Sequence, residues 1–144
     1  MRFQLRSERE LEVRNMIDKI KKQIEKLCVE WNTHSVMRSG FPTGVCSPAP
    51  EEVILIKENG DEMRTRQWCP KNLKKEKIIA RSVRAIRNNE AYGNESGAEG
   101  LRFFSELKSY ATFLNVELDV EMLQKYAEEK WRIMKSEAEG DAFD

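Results

Sequence analysis

An Asn-Gly pair, Asn59-Gly60, sits between two strand-like runs in a chain whose other periodic stretches are helical. Val53-Ile54-Leu55-Ile56-Lys57 precedes it, and the run from Met63 to Trp68 follows. Both central residues of a type I′ turn need positive φ, and Asn-Gly meets that demand best, so the spacing predicts a two-residue hairpin over 53–68. Pairing across such a turn sets Glu58 opposite Asp61, Ile56 opposite Met63 and Ile54 opposite Thr65. Ile54, Ile56 and Met63 then share a core face, and Arg64, Arg66 and Trp68 share the other with Val53 and Leu55. A two-stranded ribbon is not stable alone and must lean on helices. The fold class expected is therefore α+β, predominantly α-helical.

The helices follow from spacing. Val13, Ile17, Ile20, Ile24, Leu27 and Trp31 recur at intervals of 4, 3, 4, 3 and 4, which is a heptad seam. Ser7 with Glu10 fits a capping box in front of it. A long helix over 8–32 follows, its seam either lying on the domain's own core or joining a second copy. Residues 33–50, rich in Ser, Gly, Thr and Pro around Phe41, read as a loop. Beyond the hairpin, Pro70 closes the strand and Asn72 can cap a helix over 73–88. Tyr92-Gly93-Asn94 makes a turn, Ser96 and Glu99 a second capping box, and Leu101, Phe104, Leu107, Ala111 and Leu114 the stripe of a helix over 97–115. Asp119 can cap a last helix over 119–136, with Val120, Leu123, Ala127, Trp131 and Met134 inward. Residues 1–136 thus form one α-rich domain, and 137–144 an acidic flexible tail. Its core should centre on Ile54, Ile56, Ile79, Val83, Leu101, Phe104, Leu107 and Leu123.

Charge is where function shows. The 144 residues carry 25 basic and 25 acidic side chains, but the 24 residues from Arg64 to Arg87 hold nine basic and one acidic. On a helical wheel Lys74, Lys77, Arg81 and Arg84 form a stripe roughly opposite Ile79, Val83 and Ile86, with Arg87 at its edge. Two readings are open. Either the acidic helices neutralise this segment, or it is a polyanion-binding face. In the second, Arg64, Arg66 and Trp68 lead into Lys74, Lys77, Arg81, Arg84 and Arg87. Such a surface straddles a duplex backbone, its cations displacing condensed counterions and Trp68 stacking. No residues suggest base-edge readout, so binding should be backbone-directed.

Other chemistry is thinly supported. Cys28, His34, Cys46 and Cys69 make a Cys₃His set, yet no two of the cysteines stand at knuckle spacing, so no metal or other cofactor is assigned. No P-loop, Gly-x-Gly-x-x-Gly or nucleophile elbow is present. No catalytic residues are assigned, and a small metal-dependent nuclease is the enzyme class left open. Three cysteines favour a reducing, cytoplasmic setting, and no apolar run is long enough for a membrane span.

The stretch from Lys77-Ile78-Ile79-Ala80 through Gly100-Leu101-Arg102-Phe103-Phe104-Ser105-Glu106-Leu107 to Phe113-Leu114-Asn115 resembles part of phage small terminase subunits. In that family a helix, a short polar break and a second helix form an oligomerising segment. Residues 1–50 show no helix-turn-helix of the kind the family carries. The resemblance implies a ring-forming, non-enzymatic DNA-packaging adaptor in a host cytoplasm, with the acidic tail suited to a protein partner. The expectation is thus an oligomeric nucleic-acid-binding protein. The alternative is a structural or adaptor component, a connector or inhibitor, whose basic segment meets an acidic protein.

Overall fold

The computed structural model describes residues 2–38, 52–65 and 71–143, and among these the side chains of all but 2–7, 93–100 and 140–143. Helix α1 spans Arg2–His34. Strands β1 (Ser35–Arg38), β2 (Glu52–Ile56) and β3 (Glu62–Arg64) follow, then α2 (Lys75–Phe113) and α3 (Val120–Phe143). The class is mostly helical α+β. Helix α1 starts before the Ser7 capping box, because residues 2–6 contain no helix breaker.

The seam on α1 is spent inside the chain. Ile20, Ile24, Leu27 and Trp31 are fully enclosed, whereas Ile17 is half-buried and Val13 exposed. Four of the six seam positions thus lie on the domain's own core, one of the two readings that the spacing allows. These C-terminal four positions face this molecule's own α2 and α3, since a heptad stripe satisfies any apolar partner. Trp31 meets Tyr110 edge to face, ring centroids 5.3 Å apart, and brings the end of α1 against the end of α2.

The sheet has three strands, not two, in the order β1-β2-β3, all antiparallel. Ser35–Arg38, expected as loop, pairs with β2 in the register Ser35 to Leu55 and Met37 to Val53. Four residues are too few for a period to show, and their partner decides their state. The expected Phe41 loop lies outside the described residues.

The hairpin register is one residue away from expectation. Ile54 pairs with Arg64 and Leu55 with Met63. Gly60 has φ +93°, whereas Asn59 does not enter the positive-φ region. The turn is thus not type I′. Gly60 donates to the Lys57 carbonyl at 2.9 Å and Lys57 to the Asp61 carbonyl at 2.9 Å, which closes a three-residue loop with its glycine left-handed. Asn59 accepts a hydrogen bond from the Asp61 amide through its side chain (3.0 Å), fixing the turn in that form. A slip of one residue exchanges faces. Val53 and Leu55, not Ile54 and Ile56, therefore join Met63 against the helices. Ile54 is still buried, on the opposite face, and Ile56 is half-buried.

Helix α2 cannot be straight. Arg81 and Phe103 are 22 residues apart, about 33 Å along an ideal helix. The Arg81 guanidinium carbon nevertheless lies 5.1 Å from the Phe103 ring centroid. The helix therefore bends sharply between Arg81 and Phe103, and the parts of it described with side chains are a first arm over 75–92 and a second over 101–113. The expected pair of helices is present as these two arms, although the span is helical throughout and not broken by a coiled turn at 92–94. With α3, they make three helical segments after the sheet.

Local chemistry sets the ends. The side chain of Asn32 exchanges two hydrogen bonds with the Leu73 backbone, at 2.9 and 2.7 Å, and this clamps the approach to α2 onto the end of α1. Asn72 is not the cap. Lys74 stands at the N-cap in extended conformation and makes no side-chain capping bond. At the other end, Asn115 adopts φ 57° while its amide bonds the Thr112 carbonyl, and the Val116 amide bonds that of Ala111. That is a Schellman closure with asparagine in the left-handed position. Asp119 caps α3 as expected, its carboxylate accepting from the Met122 amide at 3.1 Å. The Asp119 amide donates to the buried Gln23 side chain (2.9 Å), which ties α3 to α1. Helix α3 remains helical to Phe143, where a flexible tail was expected from 137. Alternating Glu and Ala are sound helix formers, and Gly140 alone opposes them. Of the expected core, Ile79, Val83, Phe104, Leu107 and Leu123 are buried, and Leu101 is half-buried beside them.

Candidate functional site

The described cations of the basic segment stand on β3 and along the first arm of α2 and its approach. Arg64 is exposed on β3 and shares its sheet face with Ile54, the face turned away from the helical core. Arg66 and Trp68 lie outside the described residues. On the first arm of α2, Lys77, Arg84 and Arg87 are exposed, as is Lys74 at its N-cap. Among the described residues, none of these four is in an ion pair. Arg81, expected in the same stripe, is half-buried with its guanidinium over Phe103. Of the expected hairpin residues, only Arg64 is described, and it stands on the sheet face away from the helical core. The cations of the helix stay together because 100° per residue puts 77, 84 and 87 within one exposed arc.

The neighbouring Lys75 behaves differently. Its ammonium donates to Glu25 of α1 at 2.8 Å, and each holds the other's charge, the carboxyl below and the ammonium above its ordinary range. Among the described residues, self-neutralisation thus takes Lys75 but not Lys77, Arg84 or Arg87.

Beside the exposed arc, the first arm of α2 and the second half of α3 enclose a groove of about 490 Å³. Ile79, Ala80, Val83, Trp131 and Met134 line it, with Arg84, Arg87, Lys130 and Glu76 as its charged members. Met134 is 50% exposed and its neighbour Ile133 48%. A carboxylate locks the two walls at one end. Glu90 accepts from the Trp131 indole N–H at 2.7 Å and from the Lys135 ammonium at 2.6 Å. Lys135 first, and the indole second, hold the Glu90 carboxyl below the usual carboxylate range.

No family model, curated protein or solved structure matches this chain.

Of the four residues weighed for metal or nucleophilic chemistry, Cys28 and His34 are described. Cys28 is buried on α1, where burial, helped by Glu76 and Glu25, pushes its thiol up to about 11. It is a poor nucleophile at neutral pH. His34 lies at the end of α1, its Nδ1 3.1 Å from the Ile56 carbonyl and its Nε2 3.5 Å from Glu30. Cys46 and Cys69 lie outside the described residues. Among the described residues no three His, Cys, Asp or Glu side chains gather as a metal cluster. No described helix is long and apolar enough to cross a membrane.

Sequence reasoning found Arg84 and Arg87 but missed Lys130, Trp131 and Met134 as their companions. Trp131 and Met134 were legible as the inward stripe of α3. Which part of that stripe α2 leaves uncovered depends on how the two helices cross.

Proposed function

We propose that this protein is a non-enzymatic nucleic-acid-binding protein that engages the phosphate backbone through the exposed arc of α2. The supporting observation is the grouping of Lys77, Arg84 and Arg87 on one water-facing surface, without ion pairs among the described residues and with Lys130 across the groove. Long basic side chains held this way cost little to reorganise on meeting phosphates, and the counterions they displace supply the free energy. The spacing suits an extended polyanion, and the binding is read as directed to the backbone. A DNA-packaging adaptor is the setting that the likeness of residues 77–115 to phage small terminase subunits adds.

Titration of a generic DNA duplex across salt tests the proposal. Four phosphate contacts give a log–log slope of about −3.6, or about a 150-fold loss of affinity between 50 and 200 mM salt. The double substitution Arg84→Glu with Arg87→Glu should flatten that slope by about two contacts and weaken binding to every sequence alike. Absence of binding at 50 mM salt, or a slope unchanged in the double variant, would overturn it.

A further inference from the structure

A phosphate backbone has no use for the apolar floor of the α2–α3 groove. Val83, Trp131 and Met134 present a surface that an aliphatic or aromatic side chain would cover, and Arg84, Arg87 and Lys130 beside it call for an acidic carrier. The same chain contains such a segment. Residues 137–144 read Glu-Ala-Glu-Gly-Asp-Ala-Phe-Asp, with four acidic side chains, no basic one and a single large apolar residue, Phe143. They cannot reach the groove of their own molecule. Helix α3 is one wall of that groove and stays helical from Val120 to Phe143. The last described tie to the body is Lys135 on Glu90, after which the helix runs on for about 12 Å with residues 136–139 exposed.

We propose that the groove between the first arm of α2 and α3 receives residues 137–144 of a second copy, Phe143 on its apolar floor and the carboxylates on Arg84, Arg87 and Lys130. The contact is heterologous, each copy giving a segment and taking one, so it builds closed rings or open chains rather than a two-fold dimer. It uses part of the arc assigned above to nucleic acid and stands independently of that assignment, being read in the absence of nucleic acid. Where both hold, the acidic segment and phosphates compete for Arg84 and Arg87.

The test is sedimentation velocity on the full chain, free of nucleic acid, over a concentration series at 50 and 500 mM salt. The wild type should exceed its 16.9 kDa monomer mass at low salt and fall back towards it at high salt. Arg84→Glu with Arg87→Glu should abolish association, as should Glu137→Lys with Glu139→Lys. Both pairs of positions are exposed, and circular dichroism checks that each variant is folded. Mixing the two variants restores both charge complementarities and should restore association. Phe143→Ala should weaken it about tenfold, as removal of one buried ring implies. A wild type that stays monomeric, variants that associate like wild type, or a mixture that remains monomeric would each overturn the proposal. So would a monomer whose groove takes an unrelated acidic peptide in preference to the 137–144 peptide, which assigns the groove to another protein.

Discussion

Gly60 shows what one backbone angle is worth here. Its φ of +93° lies in the region that side chains disfavour, and a Cβ added there would meet no atom within 4 Å. Replacement is therefore penalised by conformation alone. Gly60→Ala should cost about 1–2 kcal/mol, with the thermal midpoint falling by several degrees. Gly60→Asn should cost less, because asparagine tolerates the left-handed region, as Asn115 does at φ 57°. Equal losses for the two variants, measured by thermal or urea unfolding, would refute the turn geometry described.

Among the elements, the attachment of α3 to the first arm of α2 carries the groove, and Glu90 holds it at one end. The carboxyl of Glu90 is depressed by Lys135 and the Trp131 indole, so its contribution is present above the unfolded carboxylate value of about 4.3. It is lost as pH falls through the lower folded value. The Trp131 indole N–H resonance should consequently move with a midpoint below about 4.3. In Glu90→Gln, which keeps an acceptor but has no proton to take up, that titration should vanish. A midpoint at or above the ordinary value, or a titration that survives in Glu90→Gln, would show that the carboxylate is not the clamp. The effect on stability is small, since the group is exposed and its ion pair is screened by solvent. Its consequence lies in the positions of Trp131 and Met134.

For the whole molecule, the decisive packing is that of α1 against both arms of α2. Trp31 is enclosed at the end of α1 and meets Tyr110 of the second arm, while Asn32 beside it grips Leu73 ahead of the first. Trp31→Ala should therefore cost about 3–5 kcal/mol, a large share of the roughly 5–15 kcal/mol that holds a domain together. Denaturant unfolding should show a clearly lower midpoint, whereas a loss under about 1 kcal/mol would mean that α1 is not integral to the core. Val13→Ala, at a 49% exposed position of the same heptad, should be close to neutral. That contrast separates a seam folded into its own chain from one reserved for another copy.

Sequence alone determined the helical stripes, the Asp119 cap, the existence of a hairpin at Asn59-Gly60 and the crowding of cations between Arg64 and Arg87. Each depends on residues within a few positions of one another, where helical period, turn chemistry and side-chain charge act directly. Tertiary structure decided the rest. The same Asn-Gly suits a two-residue or a three-residue loop, and the three-residue form turns Val53 and Leu55 toward the helices. Ser35–Arg38 is a strand only because β2 lies alongside. The heptad on α1 fits any apolar surface, and the chain's own helices cover its positions from Ile20 to Trp31. Lys75 met Glu25 across 50 positions of sequence, while Lys77, Arg84 and Arg87 met no carboxylate among the described residues. Pairings of that kind depend on how helices cross in three dimensions, and no local pattern records the crossing.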